Sequence, residues 1–357
     1  MTTKDHGIPT TPVTDESAWT GAEMSKNQVW LSHLKPDHLA EIDDAVQGLR
    51  MNGRTIQTLT KTDFPFPTFS GFLKNFMAND VIKRGFGLMR GLPRENYTDD
   101  ELGMVYHGMG LHMGKVIPQN SEGHLIGHVR DVGDDYSQMN TRGYRTKAAL
   151  GFHCDPCDVV GLLCLRTAKE GGISTLASGM TIFNTVLAEH PEYLSVLTRG
   201  FRYHRRGQNP PFLPPISGPI PVFSNTEGQI SIRFVRSIIN EARVKLNDPL
   251  TNEEEAALDF IAEVANRDGV ALDMGFQEGD IQICNNHLVV HSRTTFVDHD
   301  EPERKRHLLR LWLKVPGIRK MSREFIEYHV ESGWSRRDGI LPPTAPPPKT
   351  PPELATA

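Results

Sequence analysis

The chain is predicted to fold as a mainly β protein with flanking helices, a double sheet or jelly roll of α+β type. Its strand candidates are short and bounded by Gly, Asp or Pro: 125–130, 158–165, 173–177, 230–235, 281–285, 287–291 and 307–315. They do not alternate with helices as βαβ units would, which argues against a doubly wound sheet. The helical patterns lie mostly before and between these strands, as expected of helices packed on the outside of a sheet pair.

Along the chain, residues 1–27 are polar and mixed, and read as a loosely attached N-terminal arm. Pro36-Asp37 opens a helix with Leu39, Ile42, Val46 and Leu49 on one stripe. Phe86-Gly87-Leu88-Met89 reads as a strand closed by Gly91 and Pro93. Thr98-Asp99-Asp100-Glu101 is a capping box, with Leu102, Val105 and Met109 turned inward behind it. Asp158 through Leu165 is a nearly continuous apolar run, the pattern of a buried strand. Residues 205–225 hold six prolines and few strand signals, a long loop that either covers a site or simply connects two elements. Thr251-Asn252-Glu253-Glu254 is a second capping box, leading into Ala257, Leu258, Ile261 and Val264 with Gly269 as a stop. From Leu341 the chain is proline-rich and is expected to be disordered. The reading is one domain, 28–340, between an arm (1–27) and a tail (341–357).

The bulk numbers narrow the function classes. With 357 residues, 38% of them hydrophobic, the chain can bury a large core. A net charge of −5 argues against a nucleic-acid binder. No run of 18 apolar residues is present, so no membrane span is expected. The first residues lack the apolar stretch of a secretory signal, and four cysteines in so long a chain do not make a disulfide framework. A cytoplasmic protein is expected, with a small molecule as its partner; the oligomeric state is open.

Chemistry concentrates at His153-Cys154-Asp155. In an extended segment residues i and i+2 point to the same side, so the imidazole and the carboxylate can share one metal. His291 is available as a third ligand from a distant strand. Two histidines and one carboxylate on one face leave the remaining positions of a metal open, the arrangement of non-heme iron(II) oxygenases. Chance alone supplies roughly one His-x-Asp in a chain this rich in histidine, so context decides. Gly151-Phe152 precedes the motif and a buried strand follows it. Two His-x-Glu tripeptides, His190-Pro191-Glu192 and His299-Asp300-Glu301, lie in a helix-like stretch and a charged turn and lack that context.

Several segments occur in order: Gly151-Phe152-His153-Cys154-Asp155, Gly171-Gly172-Ile173-Ser174-Thr175, Gly279-Asp280-Ile281-Gln282, the run Asn285 to Phe296 around His291, and Arg306-His307-Leu308-Leu309-Arg310-Leu311-Trp312-Leu313. From about residue 85 to 315 the chain resembles the taurine dioxygenase/phenoxyacetate dioxygenase family of iron(II)- and 2-oxoglutarate-dependent oxygenases. The resemblance implies a double-stranded β-helix (a clavaminate synthase-like jelly roll), with Fe(II), 2-oxoglutarate and O2 as cofactor and co-substrates. It implies His153, Asp155 and His291 as iron ligands and as the catalytic set. It further implies a hydroxyl at Ser174, with Thr175 as second candidate, facing the far carboxylate of 2-oxoglutarate. Arg306 is implied for that same carboxylate, and Arg310 for the metal-bound end and the substrate. The segment Val297–Glu303 lengthens the interval from His291, which leaves Arg304 and Lys305 as competing choices. Between the first two ligands, where related sequences commonly have threonine, stands Cys154.

Such a site is expected to couple decarboxylation of 2-oxoglutarate, to succinate and carbon dioxide, with oxidation of a small organic molecule; hydroxylation is the default. Related halogenases lack the carboxylate ligand that Asp155 keeps, so halogenation is not expected. Substrate contacts are sought at Gln119, Asn120, Tyr144 and Arg293, with Arg142, Arg202, Arg205, Arg206 and Arg233 as further polar candidates. An arginine-rich set suits a carboxylate-bearing substrate. Cys154-Asp155-Pro156-Cys157 is also a Cys-x-x-Cys, but Cys154 is expected to point away from the ligands, as buried filler like Cys164 and Cys284, with Cys157 toward the metal side. Two other readings share the ligands or the fold: a metal-dependent hydrolase or isomerase, and a non-catalytic jelly-roll binding module.

Overall fold

The fold was analysed in a computed structural model that describes residues 7, 8, 10–135 and 142–342. Its strands are β1 (Leu31–His33), β2 (Phe86–Arg90), β3 (Lys115–Val116), β4 (Ile126–Val129), β5 (Leu150–His153), β6 (Val159–Arg166), β7 (Glu170–Gly171) and β8 (Ser174–Ser178). They continue with β9 (Phe223–Thr226), β10 (Gln229–Ile232), β11 (Ala271–Met274), β12 (Ile281–Asn285), β13 (Val289–Arg293), β14 (Phe296–Val297) and β15 (His307–Lys314). The larger sheet runs β1-β2-β12-β6-β15-β3, with β4 also pairing β15; the smaller runs β11-β8-β13-β5. Apart from β1 with β2, their pairs are antiparallel and join strands far apart in sequence, as a jelly roll requires.

Strand β15 shows how the sequence sets the layers. Leu309, Leu311 and Leu313 belong to an outer apolar cluster with Phe64, Phe69, Val105 and Met109. That cluster is covered by helices α1 (Gly21–Asn27) to α4 (Asp99–Met113) only in part: α2 (Pro36–Asn52), α3 (Phe69–Phe76) and α4 form the layer, α4 directly on β15. The alternate positions, Leu308, Arg310 and Trp312, take the other side, so the Arg310 side chain enters the interior between apolar neighbours. Each fully buried leucine of the outer row is worth at most about 1.5–3 kcal/mol of apolar transfer, enough to fix the register against a one-residue slip.

Helices α5 (Gly179–Glu189), α6 (Tyr193–Arg199), α7 (Arg236–Leu246) and α8 (Asn252–Ala265) cover the smaller sheet through Phe183, Val186, Leu197, Ile239 and Leu258. Both sequence-predicted capping boxes form, at Thr98 and Thr251. Helices α5 to α7 were not expected; α5 starts where Ser178 Oγ accepts from the Met180 and Thr181 N–H groups, a cap hidden at the end of a strand.

Two expectations need correction. The arm 1–27 is not loosely attached from Val13 onward. Trp19 is 3% exposed and donates through Nε1 to the Arg84 carbonyl, and Ser178 Oγ donates to the Ser17 carbonyl. Its polar composition hid two apolar anchors, Trp19 and Met24, that join the main core. The proline-rich loop is also shorter and more tied than 205–225 suggested, since Phe201 bridges Ile220, His204 bridges Ile216, and β9 begins at Phe223. Of the tail, Leu341 and Pro342 are described and the rest lies outside the described residues.

Candidate functional site

His153 ends β5 and lies directly opposite His291 of β13 in the antiparallel register. Their rings stand 4.4 Å apart between centroids, at 45°. Past the strand end, the Asp155 N–H donates to Asn286 Oδ1 at 2.9 Å, which turns its carboxylate toward the sheet interior. There Trp312 Nε1 donates to Asp155 Oδ2 at 3.2 Å, and Arg310 Nη1 lies 3.6 Å from Oδ1. Cys154 takes the opposite direction into the core, its N–H donating to the Phe234 carbonyl at 2.8 Å. The strand thus places His153, while Asp155, past its end, takes its direction from Asn286.

Among the described residues no three His, Cys, Asp or Glu side chains are drawn together tightly enough to hold an ion as they stand. The chemistry of the donor set nevertheless suits iron(II). His291 Nε2 is buried without a hydrogen-bond partner, which costs free energy unless something binds it. His153 Nδ1 is 2.8 Å from the Gly151 carbonyl; with the proton on that nitrogen, Nε2 keeps its lone pair for a metal. Burial and then the His153 charge hold the His291 imidazole down to about 3, so it stays neutral. Burial raises the Asp155 carboxyl, but Arg310, His291 and His153 outweigh it and leave it below its ordinary value.

The two arginines occupy different surroundings. In the large sheet Gln282, Leu162, Arg310 and Gly127 form one cross-strand row. Arg310 is held on all sides: Nε donates to Gln119 Oε1 at 2.8 Å, and the guanidinium lies over Tyr144 and Trp312 at 4.6 and 4.5 Å. Gln119 returns a bond from Nε2 to the Arg310 carbonyl at 2.7 Å. Arg306 is deeper, 4% exposed, stacked on Phe296 at 5.1 Å, with Nη1 buried and unpartnered. Burial lowers its guanidinium to about 10. Gly172, at φ +66°, makes room for it, since a Cβ there would meet Arg306 Nε at 2.9 Å. Arg304 and Lys305 are exposed in the preceding turn. Ser174 Oγ faces Gln282 at 3.2–3.3 Å, in the row of Arg310, whereas Thr175 Oγ1 donates to Asp273 Oδ1 at 2.6 Å and is spent there.

A cavity of about 430 Å³ opens beside His153 and Asp155, reached also by Gln119, Tyr144 and Arg310. Asn120 does not reach it: its side chain closes its own turn onto the Glu122 and His124 N–H groups. Arg293 does not reach it either; its Nη2 donates to the Thr146 and Ala148 carbonyls, tying down the segment ahead of β5. Asn120 was sought because it stands where family members place substrate-contacting groups, and Arg293 as a further polar candidate; neither position signals its backbone bonds in the sequence. Cys157 does not line this cavity; its thiol takes a bond from Asn286 Nδ2 at 3.2 Å and borders a smaller cleft behind Asp155. The far wall comes from elements without a motif: Tyr203 to Arg206 of the proline-rich loop, Arg233, and Glu327 and Arg336 of the irregular segment after β15. Another group escaped sequence reasoning. Asp158, fully buried, accepts from His287 Nε2 at 2.9 Å, from Arg337 twice at 2.6 Å, and from the Val315 N–H at 2.8 Å.

No helix among the described residues is long and apolar enough to cross a membrane. Comparison with known proteins gives concordant matches. Residues 54–312 match the family described as Taurine catabolism dioxygenase TauD, TfdA. The chain is 33% identical over 315 residues to FR-33289 synthase of Streptomyces rubellomurinus (strain ATCC 31215), covering 87% of this chain and 92% of that protein. It is 25% identical over 337 residues to the taurine hydroxylase-like protein SAT17 of Stachybotrys chartarum (strain CBS 109288 / IBT 7711), covering 89% and 86%. In fold it is similar to asparagine oxygenase in complex with Fe(II), 2S,3S-3-hydroxyasparagine and succinate, with a TM-score of 0.64 at 18% identity over 80% of this chain and 93% of that one. The non-heme iron oxygenase OrfP with Fe, succinate and (3S)-hydroxy-L-Arg gives a TM-score of 0.57 at 14% identity, over 80% and 94%. With the jelly roll, the His153–Asp155–His291 arrangement and a family match across most of its length, the chain belongs to the TauD/TfdA family of iron(II)- and 2-oxoglutarate-dependent dioxygenases.

Proposed function

We propose that His153, Asp155 and His291 hold Fe(II), that Arg306 and Ser174 anchor the far carboxylate of 2-oxoglutarate, and that a small organic acid entering the adjoining cavity is hydroxylated with release of succinate and carbon dioxide. Bound iron with 2-oxoglutarate and O2 supplies the oxidising chemistry. The protein supplies placement. The buried unpartnered Nη1 of Arg306 is the observation that carries the co-substrate assignment: a desolvated guanidinium gains most from a carboxylate and loses most without one. Arg310, locked by Gln119 and by Tyr144 and Trp312, stands between Asp155 and the cavity and orients whatever binds there. Tyr144 offers a further substrate contact. A hydrolase or a plain binding module would have no use for this arginine pair. Four buried cysteines, none in a disulfide, support a reducing, cytoplasmic setting.

The test is to incubate the protein with Fe(II), ascorbate, 2-oxoglutarate and a panel of small organic acids, scoring succinate and a product gain of one oxygen by mass spectrometry. Succinate that depends on both iron and an acid is the expected result. Turnover of an acid without iron or 2-oxoglutarate would overturn the proposal.

A further inference from the structure

We infer that the cavity wall opposite the ligands is a dedicated subsite for a doubly charged oxyanion of the phosphate-monoester type, carried by the substrate and read by Arg142, Arg205, Arg233 and Arg336. The inference rests on the reading above and names the acid group that the cavity takes.

Charge counting drives it. Glu327 is a buried carboxylate shared by Arg205 Nη2 at 2.6 Å and Arg233 Nη2 at 2.7 Å. Arg336 packs into the same cluster with Nη1 buried and unpartnered, and Arg142 lines the cavity with no carboxylate partner among the described residues. Four guanidinium groups around one carboxylate leave an excess of about three positive charges, because arginine does not shed its proton in proteins. Arg206 does not add to that excess, being neutralised by Glu241. The strain is visible in the same groups. Burial lowers the Arg336 guanidinium to about 10 despite Glu327, with Arg233, Arg205 and Arg142 pushing the same way. Burial and the Arg206 charge lower Arg142 to about 10.

A purely structural network would stop at one carboxylate bridging two arginines. Arg142 and Arg336 go beyond it: Arg142 reaches the Arg206 carbonyl at 3.5 Å and no carboxylate among the described residues, and Arg336 keeps a buried Nη1 without a partner. A single carboxylate would offset only one of these roughly three surplus charges, whereas a dianion offsets two. Several acceptor oxygens on one centre also suit guanidinium forks that arrive from four separate segments. The wall disfavours an ammonium group for the same reason. Asp155 and Glu327 are the acidic residues that border the cavity, one placed with the candidate metal ligands and the other already doubly paired. Arg142 lines the same cavity of about 430 Å³ as His153, Asp155 and Arg310, which puts the subsite within one small molecule's length of the metal side.

The experiment is titration calorimetry of the full-length protein with inorganic phosphate, sulfate and acetate, and separately with 2-oxoglutarate in the presence of Mn(II) as a redox-inert metal. Phosphate and sulfate are expected to bind at one site at least tenfold more tightly than acetate. Arg142→Gln and Arg336→Gln should each weaken phosphate by about tenfold or more while 2-oxoglutarate binding stays within twofold. Arg142 has no ion-pair partner to strand among the described residues, so its variant is expected to keep the wild-type melting temperature. Acetate binding as well as phosphate, or phosphate binding that ignores both substitutions, would overturn the subsite. Loss of phosphate and 2-oxoglutarate binding together would overturn it too, by placing the anion in the co-substrate site. Failure of 2-oxoglutarate to bind wild-type protein with metal would instead sink the co-substrate assignment, with the phosphate result standing apart.

Discussion

His153 and His291 are paired residues of one antiparallel ladder, so the two imidazoles are placed by backbone hydrogen bonds rather than by a loop. Asp155, by contrast, lies past the strand end and depends on Asn286 for its direction. The proposed ligand set thus combines two positions fixed by the sheet with one fixed by a side-chain tether.

Replacing His153, Asp155 or His291 by alanine is expected to abolish iron-dependent succinate formation while the far-ultraviolet circular dichroism and melting curve stay close to wild type. An open-faced site cannot spare a ligand, and the apolar clusters do not rest on these side chains. Asn286→Ala should do less, weakening metal affinity by roughly 10- to 100-fold, as outer-shell losses do. Wild-type turnover by any of the three alanine variants would remove that residue from the set.

The arginines should separate kinetically. Arg306→Ala is expected to raise the KM for 2-oxoglutarate by roughly 10- to 100-fold, the worth of a charge-assisted bond of about 1.5–3 kcal/mol. Ser174→Ala should move the same constant less, and Thr175→Ala hardly at all, because the Thr175 hydroxyl is committed to Asp273. Arg304 and Lys305 are solvent-facing, and their alanine variants should be silent. A larger 2-oxoglutarate defect in Arg310→Ala than in Arg306→Ala would reverse the assignment.

Gln119, sought as a substrate contact, lines the cavity and is braced against Arg310, accepting from its guanidinium and donating to its carbonyl. Gln119→Leu is expected to lower kcat and to loosen the substrate KM together while leaving the KM for 2-oxoglutarate near wild type. Gln119→Glu keeps the acceptor and should recover part of the loss. Equal defects in both variants would mean that the backbone bonds, not the guanidinium, matter.

Legibility in the sequence followed periodicity. Strand β6 and strand β15 could be read because an apolar run and an apolar alternation are local signals, and α4 and α8 because their capping boxes are. The metal candidates were legible because the His-x-Asp motif stands beside a buried strand, although Asp155 itself lies past the end of β5 and is directed by Asn286. What stayed hidden was long-range. Trp19 looked like part of a polar arm until Arg84 and the core supplied its partners. Glu327 and Arg336 sit in a segment with no period at all, and only the fold brings them against Arg205 and Arg233. Arg293 and Asn120 lie off the cavity, their hydrogen bonds serving backbone groups that no motif announces.

Asp158 should make stability depend on acid. Burial would raise its carboxyl, but His287 and Arg337 outweigh it and hold it at about 2, below the ordinary 3.8. A group depressed on folding contributes fully above its unfolded value, and that contribution drains away as pH falls through the folded one. The window is therefore from about pH 4 down to about pH 2, and the amount is roughly 2 kcal/mol. Asp158→Asn removes this term. It also leaves Arg337 without its carboxylate, so at pH 7 the variant is expected to lose about 3–5 kcal/mol, the usual consequence of breaking a buried pair from one side. Urea unfolding at pH 7, 4 and 3 measures both. The wild type should lose stability relative to the variant as pH falls through the window, narrowing the gap between them. A gap that stays constant from pH 7 to 3 would show that the Asp158 carboxyl is not held down by its partners.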